Sequence, residues 1–235
     1  MTQNEALAMR LASAVGLPTA PVEPRRVGER IFLLVTRHDR VIGADGVIAR
    51  LHQEDFCQAL GISPEHKYAA EGGPIFADCF ALVRAVCQPA APAVLALLDA
   101  AIFNLIVGNA DARGKNYSLL YAHGGIELAP LYDLMCTAAY PEVHAKLAMK
   151  IGKQGKLEDF ETDTWRVFGA EIGMAPAFVE RRARALASQV IQQLGLVTDG
   201  LAHSGFECED LRRFSRLIAT RADTVLRLGR PSVGD

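Results

Sequence analysis

The sequence predicts an α+β fold that is mostly helical, with small β-hairpins. Apolar residues recur at helical spacing over most of the chain, and two β-branched or aromatic runs are each followed by a glycine-containing turn. With 235 residues, of which 50% are hydrophobic, the chain can bury a core without disulfides or metals. We therefore expect one domain over residues 1–235, with a β region near 31–51, polar loops near 108–133 and a helical remainder near 157–230.

The first quarter of the chain is expected to hold a helix, a hairpin and a second, short helix. Residues 4–15 have helical periodicity, with Asn4 as the N-cap and Gly16 just after the helix. Residues 31–36 are typical of a buried strand, and a turn at 43–46 leads to a second strand at 47–51. Residues 53–60 follow as a short helix whose acidic residues, Glu54 and Asp55, complement the helix dipole.

The same periodicity predicts the later elements. Helices are expected at 76–86 and 94–107, and the second is apolar on nearly every face, which indicates a central position. Short strands at 117–121 and 126–128 enclose a turn. Three further helices are expected at 159–172, 177–194 and 208–228, with a turn at 195–205.

Composition and charge limit the classes of function. The formal net charge is −2, which argues against direct nucleic-acid binding through bulk electrostatics. The five cysteines lack CxxC spacing and indicate a reducing compartment. The N-terminus has no signal-peptide pattern and no apolar stretch is long enough to cross a bilayer, so we expect a cytoplasmic protein without membrane contact.

The densest polar segment is residues 108–116, and it does not fit a phosphate-binding P-loop. Five residues rather than four separate Gly108 from the Gly-Lys pair, and Asn116 replaces the required hydroxyl. Asp111 would also place a carboxylate where backbone amides should hold phosphate. We therefore reject the P-loop interpretation.

A loop that positions a hydroxyl nucleophile for phosphoryl transfer fits better. Such a loop has an Asp as base, a cation two residues later and an Asn five residues after the Asp to hold magnesium. Asp111, Arg113 and Asn116 stand at these offsets, and Asp133 supplies a second carboxylate soon afterwards. The predicted hairpin between them would bring Asn116 and Asp133 together, and two oxygen ligands on adjacent loops suit Mg²⁺.

Simpler structural roles exist for each of these residues. Asp111 and Asn116 could only shape a turn, and Asp133 could be a helix N-cap or half of an ion pair. Arg113 could be a solvated loop charge. Lys115 is either a second phosphate contact or an ordinary surface residue.

These residues lie among several ordered sequence blocks. The blocks are Asn4-Glu5, Val35-Thr36-Arg37-His38-Asp39-Arg40, Arg50-Leu51-His52-Gln53-Glu54-Asp55, Lys67-Tyr68, Gly72-Gly73-Pro74, Phe103-Asn104-Leu105-Ile106-Val107-Gly108-Asn109-Ala110-Asp111, Lys115-Asn116-Tyr117-Ser118-Leu119, Leu128-Ala129-Pro130-Leu131-Tyr132-Asp133 and Lys146-Leu147-Ala148-Met149. In this order they resemble the C-terminal domain of HipA-family serine/threonine kinases, the toxins of bacterial toxin–antitoxin pairs. The resemblance covers about the first two thirds of the chain.

The resemblance implies a protein-kinase-like C-terminal lobe that uses ATP and Mg²⁺. It implies that Asp111 is the catalytic base and that Asn116 and Asp133 are the metal ligands. The hinge whose backbone contacts adenine would be Thr36, Arg37 and His38. Arg113 stands where the family usually has His, so it can supply a permanent cation to the transferring phosphoryl group but not a pH-tuned acid or base.

The resemblance also implies partners and a missing part. The family places the phosphate-covering loop and the ATP-contacting lysine in a portion that precedes the Asn4-Glu5 helix, so roughly half of the nucleotide clamp is not expected in this sequence. The implied partners are a protein substrate such as an aminoacyl-tRNA synthetase, a DNA-binding antitoxin and a separate N-lobe protein. Two alternatives remain: a pseudokinase or remnant that acts as an interaction module, and the large half of a split kinase.

Overall fold

The computed structural model describes residues 1–63, 65, 66, 69, 72–122, 124–142, 146–206 and 208–228. Within these ranges the fold is α+β and mostly helical, as the sequence predicts. The helices are α1 (Thr2–Ala14), α2 (Phe56–Ala59), α3 (Phe76–Val86), α4 (Ala90–Val107), α5 (Thr164–Glu171), α6 (Pro176–Leu201) and α7 (Glu209–Leu228). The strands are β1 (Val22–Val27), β2 (Arg30–Val35), β3 (Arg40–Ile42), β4 (Ile48–Arg50), β5 (His52–Asp55), β6 (Ser118–Ala122) and β7 (Gly125–Leu128).

The strands form three small antiparallel sheets. β1 pairs with β2, β3 pairs with β4, and β5, β6 and β7 form a three-stranded sheet in that order. The sequence prediction that the strand at 31–36 pairs with the strand at 47–51 is therefore wrong. The short turn at residues 43–46 instead closes β3 onto β4, and Ile42 lies opposite Ile48.

β2 was expected to be buried, but it is only partly so. As half of a two-stranded hairpin, it has a single neighbouring strand. Leu33 packs against the core, whereas Phe32 and Leu34 remain 42% and 51% exposed. The alternation follows from the pleat of the strand, which turns every second side chain away from the core.

Tertiary contacts move three other element boundaries. Asn4 is not the N-cap of α1, which begins at Thr2; its side chain is buried and bonded to the Cys136 backbone. Residues 52–55 form β5 rather than a helix because they pair with β6, and the helix that follows keeps only four residues, capped by Asp55. α6 continues through Gly195 to Leu201, where the sequence predicted a turn.

α4 is the central helix. With 18 residues and a mean hydropathy of 2.1, it is long and apolar enough to cross a membrane by length and composition, contrary to the expectation from sequence. In the structure it packs against α3, α6 and α7, and its second half is buried. A helix buried in a protein core can be as long and as apolar as a membrane-spanning one, and the buried position of α4 explains its apolar composition. Its one buried acid, Asp99, accepts two hydrogen bonds from Arg182 of α6, at 2.5 and 2.6 Å.

The β3–β4 hairpin is anchored by a buried carboxylate. Asp39 accepts hydrogen bonds from Nε and Nη2 of Arg37, at 2.8 and 2.6 Å, and from Nη1 of Arg40 at 2.5 Å. Its carbonyl oxygen accepts from the Leu51 amide. The two guanidinium groups hold the pKa of Asp39 well below its usual range.

This carboxylate gives the protein an acid-dependent component of stability. Because its folded-state pKa is depressed, its contribution is present above the unfolded pKa of about 4 and is lost as pH falls towards the folded value. We expect Asp39→Asn to lower the free energy of unfolding by about 1–2 kcal/mol at pH 7 and to flatten its decline below about pH 4. Urea unfolding at several pH values measures this, with the exposed Asp223→Asn as control; parallel pH profiles for the two variants would contradict it.

Candidate active site

The polar loop begins where α4 ends, at Gly108. This residue has φ 75°, and an added Cβ would lie 2.8 Å from the Ala138 Cβ and 3.0 Å from Nε of Arg221. Arg221, from α7, donates through Nε and Nη2 to the Leu105 carbonyl, at 3.2 and 2.8 Å. A cation at this position satisfies a terminal carbonyl and complements the negative end of the helix dipole. The start of the loop is therefore fixed by both conformation and packing.

Asn109 connects the helix to both acidic positions of the site. Its side chain is buried and donates to Oδ1 of Asn104 at 2.9 Å and to the Asp133 carbonyl at 3.5 Å. Its Oδ1 accepts from the Asp111 amide at 3.3 Å. Asn104 in turn donates to the Tyr117 hydroxyl at 3.1 Å. One buried amide thus fixes the backbone at both Asp111 and Asp133.

Two later segments hold the loop from its other side. The Ala110 amide donates to Oγ1 of Thr137 at 2.7 Å, and that hydroxyl donates to the Gly108 carbonyl at 3.0 Å. The Ala110 carbonyl accepts from the Ala148 amide at 2.9 Å. Both polar groups of the Ala110 backbone are therefore engaged next to Asp111.

Asp111 and Arg113 form an ion pair. Nη2 of Arg113 lies 3.3 Å from Oδ2 of Asp111, and the Asp111 side chain is 41% exposed. The carboxylate is thus oriented by a fixed cation while part of it stays accessible to solvent.

Asn116 and Asp133 are brought into direct contact, as predicted. Nδ2 of Asn116 donates to Oδ2 of Asp133 at 2.7 Å. Asp133 has φ 56°, an uncommon conformation for a residue other than glycine, of the kind found at functional sites. Gly114, in the turn before Asn116, is also required, because an added Cβ would lie 2.4 Å from Cγ of Pro74.

The Tyr132 side chain links the loops to the predicted hinge segment, residues 36–38. Its hydroxyl donates to the Lys115 carbonyl at 2.8 Å and lies 2.6 Å from the Ser118 hydroxyl. Its ring stacks with His38 at a centroid distance of 5.9 Å. Burial raises the pKa of Tyr132 to about 12, so the hydroxyl keeps its proton and remains a donor at neutral pH.

The site is rich in carboxylates. Burial raises the pKa of Asp133, and the charge of Asp111 raises it further, while the hydrogen bond from Asn116 lowers it. Burial likewise raises the pKa of Glu5 in α1, and the charge of Asp133 adds to this. Partly desolvated carboxylates that repel one another favour a cation between or beside them. The sequence placed Glu5 in a family block but assigned it no role.

The predicted hinge residues have different environments. His38 is half-buried and stacks on Tyr132, beside Asp133. Thr36 donates its amide to the Pro21 carbonyl, and Arg37 pairs with Asp39. Lys115 lies in the turn Gly114–Asn116, which packs against α2. Their contacts with a nucleotide stay predictions; Lys67 and Tyr68 lie outside the described residues.

Some site residues were missed because their partners are distant in sequence. Tyr132 contacts Ser118 and His38, which lie 14 and 94 residues away. Asn109 bonds to the Asp133 carbonyl, 24 residues away, and Thr137 to the Ala110 amide, 27 residues away. These contacts are visible only in the folded chain. Asn109 and Tyr132 did lie inside the family blocks next to Asp111 and Asp133. This adjacency was the one available signal.

Residues 1–195 match the family model of the HipA-like C-terminal domain. The protein named "Putative kinase Y4mE" from Sinorhizobium fredii is 50% identical over 95% of this chain and 53% of its own length. The serine/threonine-protein kinase toxin HipA of Shewanella oneidensis is 38% identical over 63% of this chain and 37% of its own length. The chain thus spans about half the length of these relatives, or less.

Two solved structures have the same fold. The Shewanella oneidensis HipA, solved with HipB and its operator DNA, matches 99% of this chain and 58% of its own, with a TM-score of 0.87 and 28% identity. The Helicobacter pylori proinflammatory kinase CtkA matches 97% of this chain and 81% of its own, with a TM-score of 0.64 and 13% identity. The fold is therefore the kinase-like one that the sequence predicts, and the chain belongs to the HipA-like C-terminal domain family.

Proposed function

We propose that this chain is the catalytic lobe of an ATP- and Mg²⁺-dependent serine/threonine protein kinase of the HipA type. The observation that carries the proposal is the contact between Asn116 and Asp133, at 2.7 Å, on loops held by the same Asn109 that fixes the Asp111 backbone. A base and two oxygen ligands on one rigid framework are the elements that phosphoryl transfer requires.

In the proposed reaction Asp111 accepts the proton of a serine or threonine hydroxyl. The hydroxyl oxygen then forms a bond to the γ-phosphorus of ATP, the bond to the β,γ-bridging oxygen breaks, and ADP leaves with that electron pair. Arg113, paired with Asp111 at 3.3 Å, keeps the carboxylate oriented and adds a positive charge next to the transferred group.

The side chains of Asn116 and Asp133 suit Mg²⁺. Their amide and carboxylate oxygens are hard ligands, and Mg²⁺ needs few of them because it retains water and binds nucleotide phosphates. The proposed site would be completed by the nucleotide and by water rather than by further protein ligands. The ion would neutralise the developing phosphate charge.

The hinge side of the proposed nucleotide site is formed by His38 and Tyr132. His38 Nε2 is buried and has no hydrogen-bond partner among the described residues, so it can bond to a nucleotide. Thr36 and Arg37 precede it, and Lys115 follows Arg113 in the catalytic loop. We assign adenine to the segment from Thr36 to His38 and a phosphate contact to Lys115.

We further propose that another polypeptide part contributes to the nucleotide clamp. The β1–β2 and β3–β4 hairpins expose large apolar side chains. We call these residues the hairpin surface; they are Val27, Phe32, Leu34, Val35, Val41, Ile42, Val47 and Ile48. Such a concentration is typical of a surface covered by another polypeptide part. We propose that an N-lobe, in the same protein or a separate one, binds here.

We propose two further partners, an antitoxin and a protein substrate. The Shewanella HipA structure contains HipB and operator DNA, and we propose a DNA-binding antitoxin as a partner of this protein. We propose a protein as the phosphorylated substrate, with aminoacyl-tRNA synthetases as the first candidates to assay.

Substitution of the base tests the reaction. With an N-lobe supplied, Asp111→Asn is expected to lower Mg²⁺-dependent phosphate transfer to lysate proteins at least about 100-fold, because the hydroxyl proton loses its acceptor. Asp133→Asn is expected to lower it similarly by weakening metal binding, whereas the exposed Asp223→Asn should retain activity. Unchanged transfer by Asp111→Asn would refute the assignment, and inactivity of every variant would favour the pseudokinase alternative.

Substitution of Asn109 tests whether loop position limits the rate. Asn109→Ala removes the hydrogen bonds to Asn104, the Asp111 amide and the Asp133 carbonyl, so we expect kcat to fall about 10- to 100-fold. The KM for protein substrate should change much less. Steady-state kinetics together with a thermal melt measure this; a loss of activity that only follows the unfolded fraction would contradict a positioning role.

The N-lobe proposal predicts a selective effect at the hairpin surface. Ile42 and Ile48, which lie opposite each other and are 72% and 64% exposed, should be buried in the complex. Each change to Ser is expected to cost about 2 kcal/mol of binding, or about 30-fold in Kd. The probe is the part of Y4mE that this chain does not match, measured by calorimetry, with Leu196→Ser, 69% exposed on α6, as the matched control. Equal effects of all three variants would exclude this surface.

A further inference from the structure

A large groove opens beside the catalytic loop, outside the site described above. Its volume is about 570 Å³, and it is lined by the first residues of α3 and by residues 146–155. The groove lies next to the proposed base, because Ala148 in its lining donates a backbone hydrogen bond to Ala110, the residue before Asp111.

Residues 146–155 form a compact hairpin, which we call the lysine hairpin. Leu147 donates to the Gly155 carbonyl at 2.8 Å, and Ile151 and Gln154 exchange two backbone hydrogen bonds of 3.0 Å. Met149 and Ile151 are buried. The exposed positions between and after them are lysines, so the core contacts of the hairpin fix where its charges stand.

The lysine hairpin concentrates positive charge in a chain of net charge −2. Four of the six lysines of the sequence lie at positions 146, 150, 153 and 156, and the first three line the groove. Within the described part of the chain, none of these three has an ion-pair partner, and Glu171 is the one acid in the groove lining. Lys153, which lines the groove, has φ 73°, a strained backbone conformation for a residue other than glycine.

We propose that this groove binds an acidic segment of the protein substrate and thereby brings a neighbouring serine or threonine to Asp111. The inference rests on the proposed kinase function and specifies its substrate class. An anionic peptide complements three ammonium groups that outnumber the one acid of the described lining, Glu171. The apolar residues Ile75, Phe76 and Leu147 offer contact area to its backbone and side chains. The groove volume of about 570 Å³ is larger than a single phosphate group needs, which favours a peptide.

Peptide binding tests the proposal without relying on catalysis. The probe is a fluorescein-labelled peptide with one Ser between Glu residues, and its counterpart has Gln in place of every Glu. We expect the triple variant Lys146→Gln, Lys150→Gln, Lys153→Asn to raise the Kd of the Glu peptide at least about tenfold in fluorescence anisotropy. Asn is chosen at position 153 because it tolerates positive φ.

A matched variant controls for overall charge. Arg181→Gln, Arg216→Gln, Arg227→Gln removes three exposed charges on α6 and α7, and it should change the Kd less than about twofold. Equal weakening by both triple variants, equal binding of the Glu and Gln peptides, or tighter binding of a single-stranded polynucleotide than of the Glu peptide would overturn the proposal. Asp111→Asn should bind the peptide normally. Groove-dependent binding by the unaltered chain, with no phosphate transfer by that chain when an N-lobe is supplied, would refute the kinase proposal alone.

Discussion

The C-terminal end of α4 is the constraint on which the candidate site depends. A buried apolar helix can end next to solvent only if its last carbonyls and the following backbone find partners. Here Arg221 of α7 supplies donors to the Leu105 carbonyl, and Thr137 and Ala138 bond to the Gly108 carbonyl. Neighbouring atoms leave no space for a side chain at Gly108. The packing of α4 therefore also determines the direction of the loop and the placement of Asp111.

Hydrogen bonds of the polar core extend this constraint to residues 131–136, the segment that carries Asp133. Asn109 bonds to the Asp133 backbone, and Asn4 of α1 is bonded in both directions to the Cys136 backbone. Leu131 also exchanges backbone hydrogen bonds with residues 18–20. Three separate segments therefore hold residues 131–136, which explains how Asp133 can keep a left-handed conformation. Rigid placement matters here because the carboxylates repel one another and would otherwise separate.

The fold was largely predictable from sequence where a single element determines its own structure. The periodicity gave α3 its observed bounds, and the hairpin at 118–128 and the contact between Asn116 and Asp133 were also expected. The errors occurred where a distant partner decides: β5 is a strand because β6 lies beside it, and α6 passes Gly195 because Leu194 and Leu201 are buried. Asn109 was hidden for the same reason, because its function lies in bonds to other segments.

The charges of the site and of the groove have opposite signs and different environments. Glu5, Asp111 and Asp133 form an acidic centre that favours cations, whereas the lysine hairpin, joined to it through Ala148 and Ala110, favours anions. The acidic residues of a bound protein segment would contact the lysine hairpin, at a distance from the carboxylates of the site. A neutral serine or threonine hydroxyl of the same segment would then face those carboxylates. Acidic residues at the hydroxyl itself would meet like charge, so the same geometry that attracts an acidic segment also determines its register.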